Sequence, residues 1–222
     1  MSYKVVEKFI SINGEGQRAG QLAVFIRFAG CNLNCSYCDT LWANEKNVDY
    51  EVMTLEDIYT YIESTGVKNI TITGGEPLLQ DNIFDLIKVL TAENELRLEI
   101  ETNGSVSIKK YYEKLNHPPS FTMDYKLESS QMEDKMNIDN FNVLTQKDTV
   151  KFVVGDMKDL IKVKEVIDEY NLTEKTNVYL SPIYGKINYQ DMVDFMIENK
   201  LNDVSLQLQL HKIIWDPNQK GV

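Results

Sequence analysis

Apolar and polar positions along the chain follow two alternating rhythms. Short apolar, β-branched runs at Leu22–Phe28, Asn69–Thr73, Leu96–Glu101, Phe121–Tyr125, Val150–Val154, Asn177–Ser181 and Val204–Leu208 predict strands buried on at least one face. Between them apolar residues return at helical spacing, as Ile58, Tyr61 and Ile62, then Ile83, Leu86, Ile87 and Leu90 within Asp81–Leu90. Leu160–Tyr170 and Tyr189–Ile197 repeat the pattern. Thr54-Leu55-Glu56-Asp57 supplies an N-cap hydroxyl and an acid three residues later, close to a capping box, ahead of the first of these helices. Strands alternating with helices of this length predict βα units and a parallel sheet. The units are too few for a complete eight-stranded barrel, which leaves a partial, open barrel or a doubly wound sheet. The polar stretch Lys126–Gln146 predicts a loop-rich excursion within one domain spanning residues 1–222, with no repeat or linker dividing it.

Charge and composition narrow the function. The formal net charge is −11, a poor match to a phosphate backbone, so a small molecule rather than nucleic acid is the expected partner. No apolar run approaches the roughly 18–20 residues of a membrane span. The first residues, Met1 to Glu7, lack the basic-then-apolar pattern of an export signal, and a cytoplasmic location is expected.

The 3 cysteines change the picture most. Cys31, Cys35 and Cys38 form a Cys-x3-Cys-x2-Cys loop directly after the run Leu22–Phe28 and Gly30. Thiols so closely spaced cannot build a disulfide framework, and they point to an inorganic centre. Structural zinc wants four ligands, which would require His117 or His211 from far along the chain. Alternatively, three thiolates hold an iron–sulfur cluster with one iron left open for chemistry. The loop by itself is compatible with both.

Cys-x3-Cys-x2-Cys with Tyr37 before its last cysteine resembles the radical S-adenosylmethionine (SAM) superfamily. Thr73-Gly74-Gly75-Glu76-Pro77, just after a predicted strand, resembles that superfamily's SAM-cradling loop. The resemblance implies a 4Fe-4S cluster on Cys31, Cys35 and Cys38, with SAM chelating the fourth iron and yielding a 5′-deoxyadenosyl radical. A finer likeness runs through Phe9-Ile10-Ser11-Ile12-Asn13-Gly14-Glu15-Gly16, Phe25 to Leu33, Cys38-Asp39-Thr40, Leu208 to Lys212, Trp215 and Gly221-Val222. These segments resemble the 7-carboxy-7-deazaguanine synthase family, lyases of the queuosine and 7-deazapurine pathway. That family converts 6-carboxy-5,6,7,8-tetrahydropterin to 7-carboxy-7-deazaguanine with loss of ammonia. A glycyl-radical-enzyme activase and a non-catalytic zinc module are the competing readings.

By resemblance, the fold is an α/β partial, open TIM-like barrel of about six βα units, with the cluster loop after the first strand. The resemblance also implies Mg2+, a homodimer and an electron donor such as flavodoxin or ferredoxin. Tyr37, Cys38, Asp39, Gly75, Glu101, Thr102, Asn103, Lys126 and Ser181 would border SAM, and Thr40 would offer an oxygen to Mg2+. Ile12, Asn13, Gly14, Glu15, Arg27, Thr73, His211 and the carboxylate of Val222 would contact the pterin. The chemistry is consistent, because a pterin edge of N–H donors suits carboxylates and the substrate carboxylate suits Arg27 and Mg2+. Each position also has a plainer reading. Glu15 would be a solvated turn acid, Arg27 one half of a structural ion pair, His211 a satisfied core histidine and residues 216–222 a free tail. Glu99 and Glu101 alternate along one run and face the same side, so one of them would pair only with a lysine. The chain departs from common family wording at Asn13, at Asp124-Tyr125-Lys126 and at Ser181-Pro182.

Overall fold

A computed structural model describes residues 2–222. Its strands form one nine-stranded sheet in the order β3-β1-β2-β4-β5-β6-β7-β8-β9. In chain order these are β1 (Ser2–Ile12), β2 (Leu22–Phe28), β3 (Glu51–Thr54), β4 (Asn69–Gly74), β5 (Arg97–Thr102), β6 (Ser120–Tyr125), β7 (Thr149–Val154), β8 (Asn177–Pro182) and β9 (Val204–Leu206). From β2 through β4 to β9 every neighbouring pair is parallel, while β1 pairs antiparallel with both β2 and β3.

Helices fill every parallel crossover but that from β6 to β7: α1 (Leu55–Thr65), α2 (Ile83–Ala92), α3 (Lys109–Lys114), α4 (Met157–Tyr170), α5 (Leu172–Lys175) and α6 (Tyr189–Glu198), with α7 (Leu210–Ile214) after β9. The strand order never reverses along the parallel set. Right-handed crossovers therefore lay the helices on one face, which excludes the doubly wound alternative.

Local chemistry sets the element ends. Thr54 and Asp57 form the reciprocal capping box of α1, and Gly66 closes that helix in the left-handed conformation. Asp156 caps α4 and Asn188 caps α6 through their side chains. The segment 126–146 contains short 3-10 turns, as a loop-rich excursion should, and it buries Phe141 and Leu144.

Two expectations need correction. The cysteine loop follows the second strand of the chain, not the first. β1 escapes a search for continuous apolar runs because Lys4, Glu7 and Lys8 interrupt it, and an irregularity between Val5 and Glu7 breaks its alternation. The last strand stops at Leu206 rather than Leu208. Past it, the Gln207 side chain turns away to grip Gly16, accepting from its N–H at 2.8 Å and donating to its carbonyl at 2.9 Å.

The pleat sorts the parallel strands into two chemistries. One face carries Val24, Ile26, Ile70, Ile72, Leu98, Ile100, Phe121, Val150, Phe152, Val178 and Leu180, all buried in one hydrophobic cluster with Ile58, Ile62, Leu86, Leu90, Leu160 and Val163 of the helices. The alternate positions carry Arg27, Thr71, Thr73, Glu99, Glu101, Thr122, Asp124, Lys151 and Ser181. A sheet whose second face is both polar and largely shielded from solvent is built to receive something.

Candidate active site

At the carboxyl ends of β2, β4 and β5, three loops meet. The cysteine loop leaves β2, and the backbone of the Gly74-Gly75-Glu76 turn docks against its start: Gly75 N–H donates to the Phe28 carbonyl at 3.2 Å and Glu76 N–H to the Gly30 carbonyl at 2.9 Å. A Cβ on Gly75 would stand 2.2 Å from both the Gly30 carbonyl oxygen and Asn44 Oδ1, so only glycine permits this approach. Fully buried Glu76 then ties the turn to the end of β5. Its carboxylate accepts from Asn103 N–H at 2.7 Å, Thr102 Oγ1 at 2.9 Å and Leu78 N–H at 3.0 Å. Burial outweighs these donors and pushes the Glu76 carboxyl up to about 7. Sequence reading placed Glu76 in a motif without giving it this bracing role.

All three cysteines are free and half-buried. Cys38 N–H closes a turn onto the Cys35 carbonyl at 3.2 Å, and Asn103 Nδ2 donates to Cys31 Sγ at 3.5 Å. Burial raises the Cys35 and Cys38 thiols, and both are raised further by the neighbouring cysteines. Among the described residues no three His, Cys, Asp or Glu side chains are already closed into a metal cage. The thiols thus share one loop without being drawn to one point. His117 is exposed in the turn before β6, at the opposite ends of the parallel strands, so it is not at hand as a fourth ligand.

The polar face below this rim is crowded with paired charges. Lys151 Nζ lies 3.2 Å from Glu15 Oε2 and 3.1 Å from Asp124 Oδ1, and Lys126 Nζ lies 3.0 Å from Asp124 Oδ2. Burial works to lower both lysines, but Asp124, with Glu15 at Lys151, raises them above the ordinary lysine range. Ser181 Oγ donates to Glu15 Oε1. Glu15 is therefore no solvated turn acid: its side chain is 10% exposed. Glu99 accepts from Thr122 Oγ1 at 2.5 Å and lies 3.6 Å from Arg18, so its ion-pair partner is an arginine, and of the two acids it is Glu101 on which a lysine chiefly acts. Glu101 is raised mainly by burial, opposed by nearby Lys151. Lys151 is the residue sequence reading missed. Its signal was a lone lysine inside the apolar run Val150–Val154.

The remaining expected positions divide. Asn13 is buried, its Oδ1 accepts from Thr71 Oγ1 at 2.9 Å, and its Nδ2 has no partner. His211 packs against Gly14, where a Cβ would stand 2.2 Å from Nδ1, and burial lowers its imidazole. Ile12 ends β1 opposite Leu22, and Thr73 sits beside Arg27 in the sheet register. Arg27 takes its plainer reading in part, with Nε donating to Glu7 at 2.9 Å. Thr40 Oγ1 donates to Asp39 Oδ1 at 2.9 Å. Residues 216–222 are not a free tail: Lys220 stands 3.8 Å from the centre of the Trp42 ring, while within α7 Lys212 lies 3.4 Å from Asp39. Val222 is half-buried at the end of that segment. A separate cleft of about 630 Å³ between α4 and residues 128–138 contains none of the expected site residues.

A model of the radical SAM superfamily matches residues 25–196. The chain is 61% identical over 222 residues to the 7-carboxy-7-deazaguanine synthase of Clostridium acetobutylicum, covering 100% of both chains. It is 37% identical to the enzyme of that name from Methanospirillum hungatei, over 96% of this chain and 86% of the relative. The crystal structure of QueE from Escherichia coli superposes with a TM-score of 0.74 at 21% identity, covering 94% of each chain, a likeness of fold. No helix is long and apolar enough to cross a membrane among the described residues. Matched across most of its length by the superfamily and end to end by a curated relative, the chain belongs to the radical SAM superfamily and, within it, to the 7-carboxy-7-deazaguanine synthases.

Proposed function

We propose that this protein is a carbon–nitrogen lyase converting 6-carboxy-5,6,7,8-tetrahydropterin to 7-carboxy-7-deazaguanine with release of ammonia, in queuosine and 7-deazapurine biosynthesis. The observation that carries this reading is the meeting of the three-cysteine loop, the glycine turn and the end of β5 directly above a buried polar face. The residues suit the absent groups. Thiolates are natural iron ligands, and Cys31, Cys35 and Cys38 would hold a 4Fe-4S cluster. Buried Tyr37 Oη and Asn44 Oδ1 have no partner, the first on the cluster loop and the second against the Gly75 turn. Such unpaired buried polar atoms suit a polar cofactor such as SAM. When bound, cluster and SAM supply a carbon-centred radical that takes a hydrogen atom from the substrate.

The chain's own residues bind and orient. Tyr37, Cys38, Asp39, Gly75, Glu101, Thr102, Asn103, Lys126 and Ser181 form the SAM side. Ile12, Asn13, Gly14, Glu15, Arg27, Thr73, His211 and Val222 form the pterin side. Asn13 Nδ2 is a buried donor awaiting an acceptor such as a pterin carbonyl, and Glu15 is an acceptor for the ring's N–H groups. Thr40, whose hydroxyl proton goes to Asp39, keeps its lone pairs for Mg2+. The whole chain acts as a single radical SAM domain, and its sheet curves as a partial, open barrel around the polar face. It works in the cytoplasm as a homodimer, reduced by a flavodoxin or ferredoxin.

The test is anaerobic incubation of the iron-reconstituted protein with SAM, a reductant and the carboxytetrahydropterin. The deazaguanine product is expected, together with loss of cluster and SAM cleavage in Cys31→Ala, Cys35→Ala and Cys38→Ala. A four-iron protein that cleaves SAM yet forms no deazaguanine would overturn the substrate assignment.

A further inference from the structure

The paired charges on the polar face form a line that crosses the site. Ser181 donates to Glu15, Glu15 pairs with Lys151, Lys151 with Asp124 and Asp124 with Lys126. Asp124 and Lys151 are direct partners across the β6–β7 ladder, so the sheet register itself fixes their pairing. Glu15 comes from the β1–β2 loop, which is clamped from outside by Gln207. The line holds two carboxylates and two ammonium groups, is balanced in charge, and is largely shielded: Glu15 and Lys151 are each 10% exposed and Lys126 11%. Glu15 and Lys126 lie in different halves of the site. Glu15 stands with Asn13 and His211, whereas Lys126 feels the charges of Tyr37 and Cys35 on the cluster loop.

We propose that Lys151 is a positioning residue that couples pterin binding to SAM binding by holding Glu15 and Asp124 in fixed register; this rests on the function proposed above. An ammonium is a point charge with three donors. Here it donates to Glu15 and lies 3.1 Å from a second carboxylate, Asp124. Held in this way, Glu15 keeps its remaining lone pairs aimed at one place, and Asp124 keeps Lys126 against the cluster loop. A ligand at either end stiffens the line, and the second ligand then meets a site already ordered. Coupling of this kind is reciprocal: each ligand tightens the other by the same factor.

The test uses anaerobically reconstituted protein and 6-carboxypterin, a fluorescent oxidised relative of the substrate, titrated with and without saturating SAM. In the native chain SAM should tighten the pterin about five-fold or more, and the pterin should tighten SAM equally. Lys151→Met keeps the unbranched length and removes the charge. It should bind 6-carboxypterin about ten-fold more weakly and bring the coupling factor to within about two-fold of one, with cluster iron unchanged. Lys151→Arg should restore part of the coupling. Should Lys151→Met fail to fold, Asp124→Asn cuts the line while leaving the Glu15–Lys151 pair intact. It should lose the coupling with 6-carboxypterin affinity in the absence of SAM held within about three-fold. Undiminished coupling in either variant, or a coupling factor of one in the native chain, overturns the proposal. A native, cluster-loaded chain that binds no 6-carboxypterin overturns the substrate reading and this inference with it.

Discussion

Glu76 is the residue on which the rim of the site turns. It is fully buried, and both its oxygens accept from donors on two separate loops. Because its carboxyl is raised from 4.5 to about 7, the folded chain holds a proton that the unfolded chain has already released between those values. The group therefore costs stability as pH rises through that window, by about 3 kcal/mol in full. Glu76→Gln does not titrate, but its amide N–H groups face backbone N–H donors, an unsatisfied arrangement costing about 1–3 kcal/mol. The variant should melt below the native protein at pH 5, and the gap should shrink by about 2 kcal/mol at pH 8. A gap of the same size at both pH values, in thermal melts, would show that Glu76 is not held protonated. The identity of this residue was legible from its motif; its environment was not, because the donors come from residues 102 and 103.

Among the elements, the turn after β4 shows why spacing and geometry must agree. Gly74 adopts φ +156°, and its added Cβ would meet the Phe28 carbonyl oxygen at 2.5 Å; Gly75 is as tightly enclosed by the Gly30 carbonyl. Gly75→Ala must push the turn off the cysteine loop, overpacking of the sort that costs about 1–3 kcal/mol. The expected outcome is a lower melting temperature together with fewer irons retained after anaerobic reconstitution. Native iron content and an unchanged melt would mean that the two loops do not depend on each other. Most elements were readable in advance. The capping box of α1 and six of the seven predicted strands, within a residue at either end, agree with simple rules, since short apolar runs and caps are local signals. The elements that escaped, β1, β3, α3, α5 and α7, are short, at a sheet margin or polar enough that only their neighbours stabilise them.

At the scale of the whole molecule, the segment after β9 folds back across the site. Leu210 N–H donates to the Gly14 carbonyl at 3.1 Å, Lys212 reaches Asp39 and Lys220 covers Trp42. Gly221 takes φ +73°, a left-handed turn that glycine adopts at no steric cost. In the proposed function the Val222 carboxylate accepts from the pterin, a charge-assisted bond of about 1.5–3 kcal/mol. Adding residues after Val222 should therefore raise the Michaelis constant for the pterin about ten-fold or more, with SAM binding and iron content unchanged. An extension ahead of β1, which starts at the margin of the sheet beside β3, should change little. Equal Michaelis constants for the extended and native chains would remove Val222 from the site.

The sequence by itself determined what is local: the strand and helix periods, the cap of α1, the thiol spacing and the glycine turn, and through these the superfamily and its chemistry. Each such signal lies within a few residues, where sterics and hydrogen-bonding capacity act without help. Only the tertiary structure decided what depends on distant partners. It set a one-way strand order, and with it helices on one face in place of a doubly wound sheet. It diverted Arg27 to Glu7, gave Glu99 an arginine and withdrew Glu15 from solvent into a line of charges with Lys151, Asp124 and Lys126. Burial is a property of the assembled fold, and a charge inside an apolar strand shows in sequence only that a partner is needed, never which one.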